Sequence, residues 1–189
     1  MSEEDEMDII FEQEEEFRVL GLYGDVEEEN SKELVGALYA CLNEGRKSAD
    51  PIEPIELLIS TGGGNVSDMF AIYDVMRMTR EVCDISTLGI GKVMSAGVLL
   101  LAAGTKGQRR IGKHCRIMLH HVLTTDSGSL ANMRCTVREA TAMEELMFDA
   151  LVAETDLTKK KLELLLKENT DKFFCAEEAL QMGIADIIV

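Results

Sequence analysis

Two short stretches hold side chains that could do covalent chemistry together: Ser95, in the run Gly91 to Gly97, and the pair His120 and His121, which follows an apolar stretch. A serine hydroxyl attacks a carbonyl only when a base takes its proton and a carboxylate orients that base. His114, His120 and His121 compete as the base, and any of 35 Asp and Glu residues could supply the carboxylate. Strand alternation turns His121 to the face opposite His120, and His114 falls in a polar turn. Spacing alone leaves the choice open. A serine at a helix start is also an ordinary N-cap, and the GxSxG elbow is missing because position 93 is Val. A second glycine-rich run, Thr61-Gly62-Gly63-Gly64-Asn65, also precedes a helix, so its backbone N–H groups suit an oxyanion or a phosphate. It lacks the Lys-Ser/Thr ending of a P-loop and the spacing of a dinucleotide fingerprint, which disfavours nucleotide.

These residues must be delivered by strand ends. The pattern predicts a strand over 17–23, a helix capped at Asn30 or Ser31, and a polar surface loop over 43–54. A buried strand at 55–59, a turn at 60–65 and a helix over 66–80 follow. The unit repeats as strand 83–90, turn 91–94 and helix 95–103. Strands at 108–111 and 116–119, a polar segment at 123–130, a long helix over 131–153, helices near 158–168 and 176–182, and a strand at 185–188 complete the chain. Met133, Val137, Ala140, Met147 and Leu151 form one apolar stripe on the long helix. Alternating short apolar strands and helices predict an α/β fold with a largely parallel sheet. Ligands of such sheets gather where strands end and helices begin.

The 189 residues suit one domain with its own core. Nine acidic residues precede the first basic one, Arg18, so 1–16 reads as an acidic flexible segment and 17–189 as the folded domain. A net charge of -16 disfavours nucleic acid and anionic membranes as partners. No run of 18 apolar residues is present to span a bilayer. Cys41, Cys83, Cys115, Cys135 and Cys175 show no metal-binding spacing and read as reduced core thiols in a cytoplasmic setting, with no metal site expected.

Four ordered blocks resemble the proteolytic subunits of the Clp protease. Ile59-Ser-Thr-Gly-Gly-Gly-Asn-Val66, continuing through Met69-Phe-Ala-Ile-Tyr-Asp74, is similar to "INSPGGSV…MAIYD". The run Gly91 to Gly104 is similar to "GQAASMGALLLAAG", and Arg116 to His121 to "RVMIHQ". Thr170 to Ala179, followed by Gly183-Ile-Ala-Asp186, is similar to "RDxFxSAEEA…GxxD". The resemblance covers 17–189. It implies a crotonase-like spiral of strands and helices with a projecting handle, a strand plus long helix at about 123–154. It also implies Ser95 as nucleophile, His120 as general base and Asp171 as the orienting acid. Gly64 and Ala96 would donate backbone N–H groups to the oxyanion, and Gly62, Gly63, Leu123 and Thr124 would bind substrate. The implied reaction is acyl-enzyme peptide hydrolysis without metal or organic cofactor. The implied assembly is a heptameric ring, stacked in pairs to a tetradecamer, fed with unfolded polypeptide by an AAA+ unfoldase that alone uses ATP.

The chain departs from the family pattern in places. Gly62 replaces the proline before the paired glycines, and Asn169-Thr170 replaces the acid–arginine pair that links two rings. Glu56 and Leu58 replace aromatic positions of the unfoldase pocket, and the acidic N-terminus replaces an axial-loop pattern. Two other readings stand beside the active peptidase: a silent structural subunit of a mixed ring, and a crotonase-type acyl-CoA enzyme that shares the two-donor oxyanion hole. A serine at 95 argues against the acyl-CoA enzyme.

Overall fold

A seven-stranded sheet organises the computed structural model, which describes residues 18–49 and 52–189. The acidic segment 1–16, Phe17, and Asp50 and Pro51 of the expected loop lie outside the described residues. The strands are β1 (Val19–Tyr23), β2 (Ile55–Thr61), β3 (Ile85–Met94), β4 (Arg109–Ile111), β5 (Arg116–Leu119), β6 (Lys172–Phe174) and β7 (Ile187–Ile188). The helices are α1 (Glu28–Lys47), α2 (Val66–Thr79), α3 (Ala96–Ala102), α4 (Leu130–Glu154), α5 (Lys159–Leu166) and α6 (Ala176–Gln181). The path β1-β2-β3-β4-β7 is parallel throughout, as helical crossovers require. β5 joins β3 in parallel, and β6 closes on β5 antiparallel. The expected α/β class with a mainly parallel sheet is the one observed.

Period-two burial fixes the core face of β2: Ile55, Leu57, Ile59 and Thr61 are buried, while Glu56, Leu58 and Ser60 are half-exposed. Against that face pack Leu34 and Leu38 of α1 and Met69, Ile72, Tyr73 and Met76 of α2, each set at helical spacing. Every residue of α3 is buried, so this helix is apolar all round and runs through the core.

Several expectations change. α1 begins at Glu28, not at Asn30 or Ser31; the Asn30 side chain donates to the Asp25 carbonyl at 2.8 Å, and Ser31 is buried inside the helix. Acidic Glu28 and Glu29 open it and basic Arg46 and Lys47 close it, matching the helix dipole, so the helix consumes 43–47 of the expected loop. The stretch 91–94, expected as a turn, is the second half of β3. Gly91 (φ +65°) bends the strand there. Thr87 to Gly89 then pair with β4, and Lys92 to Met94 with β5. One strand thus serves two neighbours and carries its far end to Ser95.

The handle differs too. Ser129 caps α4 by accepting the Asn132 N–H at 3.2 Å, and the helix runs 25 residues, close to its expected limits. Only its C-terminal half sinks into the core, through Met147, Phe148 and Leu151, whereas Met133 and Val137 of the stripe are exposed. No strand forms over 123–129, where no edge among the described residues pairs with it. Of the cysteines, Cys83 and Cys115 are buried, and burial pushes the Cys115 thiol up to about 11; Cys135, expected in the core, is exposed on α4. Among the described residues no helix is long and apolar enough to cross a membrane.

Candidate active site

Ser95 stands between β3 and α3 with φ 53° and ψ −119°, a left-handed conformation that costs a non-glycine residue about 1–3 kcal/mol. Its side chain makes no capping bond to α3, so the N-cap reading fails. The hydroxyl instead lies 2.7 Å from His120 Nε2. The surrounding backbone enforces this pose. The Ser95 N–H donates to the Met118 carbonyl at 2.8 Å, fixing the β3 end beside the β5 end from which His120 projects. Beneath it lies Gly63 (φ +95°), where a Cβ would come within 2.6 Å of Ser95 Cβ; only glycine leaves room for the serine. The chain therefore builds a strained strand-to-helix turn at Ser95 without the GxSxG sequence.

The glycine-rich run supplies the facing wall. The Val26 N–H donates to the Gly63 carbonyl at 2.8 Å, and the Asn65 N–H donates to the Val26 carbonyl at 2.7 Å. This bridge leaves the Gly64 N–H without a partner among the described residues. It also presses Val26 so close that a Cβ on Gly64 would lie 2.1 Å from the Val26 carbonyl oxygen. Asn65 then caps α2, its Oδ1 accepting the N–H groups of Ser67 (2.7 Å) and Asp68 (3.2 Å). The Ala96 N–H, first of α3, has no acceptor in its own helix. Both amides border a cleft of about 230 Å³ lined by Gly62, Gly64, Ser95, Ala96, His120 and Leu123, with Val66, His121, Val122 and Met147 completing it.

Of the expected site residues, Ser95 and His120 meet directly, and Gly62, Gly64, Ala96 and Leu123 share their cleft. Gly63 is buried under Ser95 rather than in the cleft wall, and Thr124 lines an adjoining groove of about 570 Å³ with Leu123, Cys135 and Glu139. His114 is exposed in a turn and makes no hydrogen bond among the described residues. Asp171 arrives by a strand the sequence did not reveal. β6 pairs Lys172 with Leu119, so one further step of the antiparallel register sets Asp171 opposite His120. Its carboxylate is exposed, however, and makes no hydrogen bond or ion pair among the described residues. The wall residues Val66, Val122 and Met147 also escaped the sequence, and His121 entered it only as a competing base. Val66 read as the start of a helix and Met147 as part of an apolar stripe, and nothing local brings α4 to the β5 exit.

Among the described residues no three His, Cys, Asp or Glu side chains converge to hold a metal ion. A strained serine hydrogen-bonded to a histidine, with two free amides close by, is equipped for acyl transfer through a covalent ester. Comparison with known proteins narrows that class. The Clp protease family profile matches residues 2–189. An ATP-dependent Clp protease proteolytic subunit 2 of Mycolicibacterium paratuberculosis is 36% identical over 140 residues, 74% of this chain and 68% of the relative. The Frankia casuarinae subunit 2 is 34% identical over 143 residues, 76% of this chain and 64% of the relative. The Corynebacterium jeikeium subunit 1 is 32% identical over 173 residues, covering 91% and 87% respectively. The chain belongs to the Clp protease family. It is a peptidase of the Clp type.

Proposed function

We propose that this protein is a serine endopeptidase subunit that hydrolyses unfolded polypeptide through an acyl-enzyme on Ser95. The observation that carries the reading is the strained Ser95 with its hydroxyl 2.7 Å from His120 Nε2. His120 takes the hydroxyl proton as Ser95 Oγ adds to the peptide carbonyl. The Gly64 and Ala96 amides receive the oxyanion, and His120 returns the proton to the departing amine. Water, deprotonated by His120, then releases the acyl group and restores the serine. Asp171 orients His120 once its carboxylate reaches Nδ1. The chemistry needs no metal or organic cofactor in the subunit. The relatives are named subunits of an ATP-dependent protease, and by analogy this chain assembles into stacked heptameric rings in the cytoplasm and receives substrate from an ATP-driven unfoldase.

The unengaged Asp171 favours a second reading, in which the single subunit is silent and the acid closes on His120 only in an assembled or mixed ring. Turnover of an unstructured fluorogenic peptide, with sedimentation of the same sample, separates the two. Under the main reading His120→Ala lowers kcat by about 10⁶-fold, while His121→Ala retains measurable activity. Activity confined to an assembled particle supports the second reading, and unchanged turnover in His120→Ala overturns both.

A further inference from the structure

Beside the proposed base stands a second histidine whose contacts the acyl-transfer scheme does not use. His121 Nδ1 lies 2.8 Å from Glu144 Oε1 on α4, and Nε2 lies 3.0 Å from the Leu166 carbonyl that ends α5. Glu144 Oε1 already accepts the Val122 N–H at 3.0 Å, and a carbonyl oxygen only accepts. Both ring nitrogens therefore face acceptors, and an imidazole donates from both only as the doubly protonated cation. The ring also packs on Phe148, one turn beyond Glu144, with centroids 6.2 Å apart. Glu144 is the ionisable group these contacts bring to His121, while α5 offers a backbone carbonyl.

The Leu166 carbonyl is a shared joint. It also accepts the Asn169 N–H at 2.9 Å, and Asn169 turns the chain through a left-handed conformation (φ +52°) two residues before Asp171. One side chain thus ties together the residue after His120, the middle of α4 and the turn that delivers Asp171 to β6. We propose that His121 is a positioning residue: bridging Glu144 and the Leu166 carbonyl, it holds His120 and the Asp171 turn in mutual register. This deepens, and rests on, the serine-peptidase reading.

The experiment compares wild type, Ser95→Ala, His121→Leu and His121→Gln as full-length chains. It reads kcat and KM on an unstructured fluorogenic peptide and the ¹⁵N spectra of histidine-labelled protein. His121→Leu removes both donors and is expected to lower kcat by about 10- to 100-fold, the scale of a misplaced catalytic group, with KM within about twofold. His121→Gln restores one donor and recovers part of that loss. The wild-type spectrum shows both His121 nitrogens protonated, and the His120 resonances shift in His121→Leu. Unchanged kcat in His121→Leu, a change in KM alone, or a singly protonated His121 would overturn the proposal. Should wild type show no turnover that Ser95→Ala removes, the peptidase reading fails instead. The spectra still decide the bridge: unshifted His120 resonances in His121→Leu reject it, and shifted ones sustain it.

Discussion

The polar cluster around Glu154, at the end of α4, and the one around Ser95, between β3 and α3, obey opposite rules. At Glu154 the acceptors are used up. Its carboxylate accepts Tyr73 OH at 2.9 Å and two Arg80 N–H groups at 2.7 and 3.0 Å, and its backbone carbonyl accepts Arg109 at 2.7 Å. Arg109 in turn grips Asp186 with two bonds, at 2.8 and 2.5 Å. At Ser95 the side chain makes one bond, to His120, and among the described residues the His120 Nδ1, the Asp171 carboxylate and the Gly64 and Ala96 amides stay without partners. A buried group must be satisfied within the protein or destabilise it. Groups at an open cleft can wait for a substrate. The saturated cluster holds the fold, and the unsaturated one is left able to react.

Asp171→Asn probes the unsaturated side and carries the largest effect of these three tests: kcat falls by about 10⁴-fold in the active particle, with the melting temperature unchanged. A loss below tenfold would mean that another group orients His120. Arg109→Met probes the saturated side, and there stability rather than chemistry should suffer. Removing the guanidinium leaves the Glu154 carbonyl without its donor and the Asp186 carboxylate with only the Gly107 and Arg109 backbone N–H groups. This is expected to cost about 1–3 kcal/mol in denaturant unfolding, with kcat of the folded fraction unaltered. Loss of kcat without loss of stability would erase the distinction between the clusters.

The smallest effect is acid sensitivity. Burial pushes Glu154 up, but the hydrogen bond and charge of Arg80, helped by Tyr73, overrule it and the net shift is downward. The Arg109 hydrogen bond draws Asp186 down, against a smaller opposing push from burial. Carboxyls depressed in the folded state contribute stability above their unfolded values and lose it as pH falls through their folded ones. Stability should therefore be flat above about pH 5 and decline below it, and Arg109→Met should weaken that decline. An equally steep acid limb in the variant would place the acid-labile contacts elsewhere.

The Ser95–His120 half of the site was legible because its signals are local: a glycine-rich turn, a serine at a helix start, a histidine at a strand end. The strain at Ser95 was not, since a serine there reads as a cap and the buried Val93 hides the elbow. Gly91 read as a turn because its bend inside β3 is set by two different neighbouring strands. β6, only three residues long with half-exposed side chains, gives no periodic signal, so Asp171 rested on resemblance alone. The contacts of His121 with Glu144 and Leu166 span 23 and 45 residues, and the Arg109–Asp186 pair spans 77. Such contacts exist only once helices have packed on the sheet.

The most direct test of Ser95 as nucleophile is covalent labelling with a fluorophosphonate, followed by peptide mapping of wild type and Ser95→Ala. One phosphonyl group on the peptide containing Ser95, absent from the variant, is the result expected. Label that survives Ser95→Ala, or an assembled particle that never takes label, would contradict it.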